Sequence, residues 1–112
     1  MKNNLILIFA LSLLAFSSIN TAIAGDAAAG KEKSALCVAC HGADGNGTDP
    51  SYPRLAGQHQ DYLAKALHDY KAGERKNPIM AGMVAALNDD DIENLAAYYA
   101  SLSGLQDLST YK

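Results

Sequence analysis

The stretch Cys37-Val38-Ala39-Cys40-His41 decides the reading of this chain. C-x-x-C-H is the attachment signature for a c-type haem. On a helical turn, two thiols three residues apart share one face, and a histidine four residues after the first cysteine joins them. The thiols can then take up the two haem vinyl groups as thioethers, leaving His41 beneath the iron as its proximal ligand. Other uses of two cysteines fit less well. A zinc site needs two more ligands, and His59 and His68 are spaced more widely than the usual zinc H-x-H pair. A thioredoxin-type pair needs a βαβ setting, which the sequence lacks. A disulfide has no use for His41.

The chain upstream of the motif reads as an address. Met1-Lys2 is a short positive start, Leu5 to Ala15 is apolar apart from Ser12, and Thr21-Ala22-Ile23-Ala24 ends in a small-x-small cleavage pattern. Residues 1–24 are therefore expected to be a cleaved signal peptide, with no membrane anchor after cleavage and the mature chain in the periplasm. The apolar run falls short of the roughly 20 residues that span a bilayer.

Residues 25–112 form one expected domain of 88 residues. It carries eight basic and twelve acidic side chains and no basic stripe, which argues against nucleic acid as a partner. Its apolar content is thin. Both phenylalanines lie in the first 24 residues, tryptophan is absent, and Leu, Ile and Val number 13. That is below the roughly one-fifth typical of globular chains, and so small a core is marginal by itself. A covalent haem resolves the conflict by supplying a large apolar centre for the residues to wrap.

The pattern is all-α, with three main helices and short turns. The first helix is expected over about Ala27 to Cys40, capped by Asp26. A turn-rich loop follows at 42–58. The second helix is expected over about Gln60 to Lys71, with Leu63, Ala66, Leu67 and Tyr70 at helical spacing. A loop at Glu74 to Ile79, broken by Asn77-Pro78, leads into a short apolar turn at Met80 to Leu87. The last helix begins after Asn88, with Asp91 in the reciprocal capping position. Ile92, Leu95, Ala96, Tyr99 and Leu102 form its buried stripe, and Gly104 is expected to close it. Residues 105–112 are expected to be a loosely attached tail.

The second axial position decides the chemistry, because a closed position gives electron transfer and an open one gas or peroxide chemistry. Met80, Met83, His59 and His68 are the candidates. Met80 is preferred, since an irregular segment after Asn77-Pro78-Ile79 can lay its thioether against the iron. Met83 reads more naturally as core packing, and the two histidines as solvated surface groups.

Four segments together resemble a class I cytochrome c of the small single-haem periplasmic type, and one half of the di-haem periplasmic cytochromes. They are Cys37-Val38-Ala39-Cys40-His41-Gly42, Tyr52-Pro53-Arg54-Leu55-Ala56-Gly57-Gln58, Met80-Ala81-Gly82-Met83 and Asp91-Ile92-Glu93-Asn94-Leu95-Ala96-Ala97-Tyr98-Tyr99. The resemblance implies one covalent haem on Cys37 and Cys40, with His41 and Met80 as axial ligands. It implies that the Pro53 carbonyl accepts the His41 Nδ1–H bond and that Arg54 reaches a haem propionate. It also implies that Tyr98 or Tyr99 packs near Gly30.

The implied function is single-electron shuttling between Fe(III) and Fe(II), without enzyme activity. The donor would be a membrane quinol-oxidising complex or a dehydrogenase, and the acceptor a terminal oxidase or reductase. The strong lysine ring of mitochondrial relatives is missing, so docking is expected through a small apolar patch near Val38, Ala43 and Met83. Two alternatives keep the haem. One is a dedicated haem subunit of a periplasmic dehydrogenase, for example one oxidising a sulfur compound. The other is a five-coordinate haem that binds CO or turns over peroxide.

Overall fold

The computed structural model describes residues 24–105. The expected signal segment up to residue 23 and the tail from residue 106 lie outside the described residues. Those described form helices α1 (Ala27–Lys33), α2 (Val38–His41), α3 (Gln60–Ala72), α4 (Pro78–Val84) and α5 (Asp89–Ser101), with a 3₁₀ turn at Ser34–Leu36. No strand occurs among them.

The segment expected to be one first helix is three pieces. Asp26 caps α1 by accepting from the N–H groups of Ala28 and Ala29 at 2.8 and 3.3 Å. Lys31 and Lys33 sit in the last turn, where positive charge favours the helix dipole. Ser34 then donates its hydroxyl to the Lys31 carbonyl at 2.7 Å. Such a side-chain bond competes with the main-chain ladder. The chain tightens into the 3₁₀ turn, and Cys37 N–H donates to the Ser34 carbonyl at 2.8 Å. Sequence periodicity alone did not separate these pieces, because all of them keep right-handed helical backbone.

α5 lies between α1 and α3 and supplies most of the core. The reciprocal cap is present. Asp91 N–H donates to Asn88 Oδ1 at 2.8 Å, and Asn88 N–H donates to Asp91 Oδ2 at 3.1 Å. Ile92, Leu95, Ala96 and Tyr99 are buried against Leu63 and Ala64 of α3. Leu102, expected in the stripe, is half-buried and already extended. Gly104 does not close the helix. It lies against the 42–58 loop, where an added Cβ would sit 2.4 Å from the Ala56 carbonyl oxygen. Leu105 N–H donates to that same oxygen at 2.7 Å, so the first residue of the expected loose tail is tied to the domain.

The α1–α5 crossing is a contact of backbones. A Cβ on Gly30 would lie 2.0 Å from the Asn94 carbonyl oxygen and 2.8 Å from Tyr98 Cβ. Tyr98 is therefore the tyrosine at that crossing, while Tyr99 turns into the core. Asp26 N–H donates to Asn94 Oδ1 at 2.7 Å, and Lys33 pairs with Asp91 at 3.0 Å.

α3 ends as its sequence demands, with Gly73 left-handed at φ 77°. Gly73 N–H donates to the Tyr70 carbonyl and Glu74 N–H to that of Asp69, at 3.3 and 2.9 Å. This is the Schellman pattern. The next segment departs from expectation. Asn77 and Pro78 start a helix rather than punctuate a loop. Asn77 Oδ1 accepts from Ile79 and Met80 N–H at 3.0 and 3.1 Å, and Pro78 occupies the first helical position. Met80 thus stands in the first turn of α4, not in an irregular loop.

Candidate haem-binding site

The haem motif starts at Cys37, between the 3₁₀ turn and α2, and runs through α2. Its geometry is fixed from below by the 42–58 loop. Gly47 N–H donates to the His41 carbonyl at 2.7 Å, and Thr48 donates to the Cys40 carbonyl through both its N–H and its hydroxyl, at 3.2 and 3.1 Å. These bonds satisfy carbonyls that a helix terminus leaves open. Gly42 allows the sharp exit, with φ 82° and ψ 155°, a region closed to residues with a side chain.

His41 is buried, and its Nδ1 lies 2.8 Å from the Pro53 carbonyl oxygen. A carbonyl can only accept, so Nδ1 carries the proton and Nε2 presents a lone pair. That is the tautomer an iron ligand requires. The acceptor is the main-chain oxygen of Pro53, as the resemblance implies.

Cys37 and Cys40 are both free and half-buried. Burial pushes the Cys37 thiol above its ordinary pKa, an effect partly offset by the nearby Tyr99 hydroxyl. Among the described residues, no three His, Cys, Asp or Glu side chains gather as a metal-holding group. The cysteines and His41 thus have no companions that would complete a zinc site.

Of the methionines, Met80 is half-buried in the first turn of α4 and Met83 is exposed one turn on. Arg54 is exposed on the rim of an open hollow of about 490 Å³ lined also by Thr48, Tyr52 and Pro53. Asp44, nearby, is held below the usual carboxylate range, first by the Asn46 N–H and least by the Arg54 charge. His59 is exposed before α3 and supplies no side-chain cap. His68 faces Asp89 and Glu93 at 3.9 and 3.8 Å on the surface of α3 and α5.

The residues present fit a haem. A buried histidine has one nitrogen bonded and the other available, two unpaired thiols stand beside it, and the polypeptide core is thin. Among the described residues, only Ile92, Leu95 and Val84 are large side chains with essentially no exposure. Sequence reasoning did not single out two features of this region. Leu36, next to Cys37, and Ile79, next to Met80, are 70% and 62% exposed. Tyr99 turns its hydroxyl toward Cys37 and Ser34. The available signal for the latter was a polar atom within an otherwise apolar stripe.

This is the architecture of a small all-α haem protein. A family model described as Cytochrome c matches residues 27–103, and the chain belongs to the cytochrome c family, whose members transfer electrons. Its single C-x-x-C-H implies one c-type haem. The chain is 54% identical over 78 residues to cytochrome c4 of Pseudomonas aeruginosa, a match covering 70% of this chain and 39% of that protein. It is 49% identical over 81 residues to cytochrome c-554(548) of Halomonas halodenitrificans, covering 70% of this chain and 98% of that one. The crystal structure of reduced recombinant cytochrome c4 from Pseudomonas stutzeri superposes with a TM-score of 0.70 at 48% identity, over 73% of this chain and 48% of that one. A protein named thiosulfate dehydrogenase electron acceptor, from Thiomonas intermedia, is 43% identical over 76 residues, covering 67% of this chain and 35% of its own length. The chain thus matches under half the length of the cytochromes c4 and nearly all of the single-domain relative. Among the described residues no helix is long and apolar enough to cross a membrane.

Proposed function

We propose that this chain is a periplasmic single-electron carrier, with the haem bound to Cys37 and Cys40 and its iron held between His41 and Met80. The buried His41, fixed through Nδ1 on the Pro53 carbonyl at 2.8 Å beside two free cysteines, is the observation that carries the reading. When bound, the haem supplies one-electron chemistry between Fe(III) and Fe(II). The protein's residues orient and insulate that chemistry. The Pro53 carbonyl fixes the plane of His41 and raises its basicity as a ligand. The Asn77 cap sets the first turn of α4 and so the direction from which Met80 approaches. Arg54, exposed on the rim of the hollow, would pair with a carboxylate such as a propionate. A thioether ligand favours the reduced ion.

The exposed apolar side chains describe how a partner docks. Leu36 and Ile79 are exposed apolar side chains beyond those expected near Val38, Ala43 and Met83, and the chain lacks a strong lysine ring. A short-lived complex through such a patch gives a rate that changes little with salt. The donor is a quinol-oxidising complex or a dehydrogenase, and the acceptor a terminal oxidase or reductase.

Absorption spectra of the holoprotein test the ligand set. A sulfur-to-iron band when oxidised, with no response to CO when reduced, is the expected result. Met80→Ala abolishes the band and opens the iron to CO, and Met83→Ala does neither. A wild-type protein that lacks the band and binds CO has an open iron and is not this carrier.

A second reading is a dedicated haem subunit for a sulfur-compound dehydrogenase, favoured by the similarity to thiosulfate dehydrogenase electron acceptors. Purification in a fixed ratio with a catalytic chain selects it over a freely diffusing shuttle.

A further inference from the structure

We propose that Tyr99 is a positioning residue whose hydroxyl donates to the Cys37 sulfur in the haem-bearing protein and thereby raises the iron's reduction potential. The proposal rests on the haem attachment at Cys37 argued above. Tyr99 is 4% exposed, and its hydroxyl has no hydrogen-bond partner among the described residues. A buried hydroxyl left unpaired bears its full desolvation cost, and native interiors rarely leave one so. A phenylalanine would fill the same space without that cost.

The ring has little freedom to seek a partner elsewhere. Its Cδ1 would lie 3.0 Å from a Cβ on Gly45. Its main-chain oxygen accepts from Gly57 and Leu102 N–H at 3.0 and 3.2 Å. Two polar groups face the hydroxyl, the Cys37 thiol and the Ser34 hydroxyl, and neither closes a hydrogen bond to it. Ser34 donates its proton to the Lys31 carbonyl, so toward Tyr99 it can only accept, and NMR contacts to Cys37 or to Ser34 separate the two acceptors. Cys37 packs against the cluster that contains Tyr99.

Attachment changes the pairing rules at this spot. A thiol is itself a weak donor, whereas a thioether sulfur can only accept. The tyrosine proton then has an acceptor that no longer competes as a donor. The bond sets the positive end of the O–H dipole toward the edge of the macrocycle, in a low-dielectric interior where such a dipole is poorly screened. The oxidised centre carries one more positive charge than the reduced one. The dipole therefore disfavours Fe(III), which raises the potential.

The test uses the holoprotein, with covalent haem verified by mass. NMR of the reduced, diamagnetic wild type is expected to show a slowly exchanging Tyr99 hydroxyl proton with nuclear Overhauser contacts to the Cys37 β-protons. Tyr99→Phe is expected to shift the midpoint potential downward while leaving the sulfur-to-iron band and CO insensitivity intact. Ser34→Ala is expected to leave the potential where it was. An unprotected hydroxyl, contacts to Ser34 alone, or an unchanged potential in Tyr99→Phe each overturns the proposal. Should Tyr99→Phe fail to mature, the wild-type NMR result decides alone. A wild type without covalent haem overturns the function proposed above and this inference with it, and mass distinguishes that case at the outset.

Discussion

The α1–α5 crossing and two other stretches, the 3₁₀ turn with Leu36 and helix α4, are built on opposite plans. At the crossing, backbone meets backbone: Gly30 has no room for a Cβ, and Asp26 and Asn94 join the two helices by a 2.7 Å hydrogen bond. In those stretches Leu36, Ile79 and Met83 are exposed, and Val84 is the buried residue of α4. Leu36 and Ile79, each next in sequence to Cys37 or Met80, leave apolar surface uncovered in a chain with so small a core. The contrast teaches that the polypeptide finishes its own packing at the crossing and leaves apolar side chains uncovered beside the haem motif and in α4.

The largest test of that contrast removes the bound group. A Cys37→Ala, Cys40→Ala double variant is expected to lose covalent haem. It should also lose most of the roughly 5–15 kcal/mol that a domain of this size commands. Mass spectrometry and thermal unfolding by circular dichroism check both. A haem-free double variant that melts cooperatively near the wild-type temperature would show the polypeptide core to be sufficient.

Next in size is the crossing itself. Gly30→Ala places a methyl group where the Asn94 main chain stands, so α1 must lift from α5. A loss of about 3 kcal/mol or more is expected from overpacking against unyielding backbone, measured by denaturant unfolding of the holoprotein. A loss below about 0.5 kcal/mol, the range of ordinary surface changes, would mean the helices are not locked there.

Asn88→Ala is expected to cost about 1 kcal/mol, since it removes the acceptor for Asp91 N–H at the start of α5. The cap also predicts a pH dependence. Lys33, then the Asn88 N–H, hold the Asp91 carboxyl below its ordinary pKa. A depressed folded-state pKa stabilises the fold above the unfolded value of about 3.9 and loses that stabilisation as pH falls through the folded one. Unfolding at successive pH values below about 4 should therefore show a smaller acid loss in Asp91→Asn than in wild type. Equal acid sensitivity in the two proteins would remove Asp91 from this role.

The smallest effect expected is at Pro53. The acceptor for His41 is a main-chain oxygen, so Pro53→Ala keeps the bond unless the loop shifts. Its sulfur-to-iron band and reduction potential should stay near wild type. A marked change in either would locate the control of His41 in the proline ring's restraint of the loop rather than in the carbonyl.

The sequence by itself determined the cofactor chemistry, the starts of α1 and α5 and the stop of α3. Cys37, Cys40 and His41 lie within five residues, so local geometry alone brings them together. The capping box at Asn88 and Asp91 and the Gly73 stop are likewise short-range. Even the misread start of α4 was local: Asn77-Pro78 is a cap followed by a first-position proline, and it looks the same as a loop breaker until the N–H groups of Ile79 and Met80 are seen to bond Asn77. Tertiary structure alone decided the rest. It separated Tyr98 at the helix crossing from Tyr99 in the core. It assigned Gly104 to the Ala56 loop and brought the Pro53 carbonyl within 2.8 Å of His41. It also turned a tyrosine hydroxyl toward Cys37. The physical reason is range. Caps and motif spacing are set by hydrogen bonds a few residues long, whereas the direction a side chain faces depends on which distant backbone has already taken the space beside it.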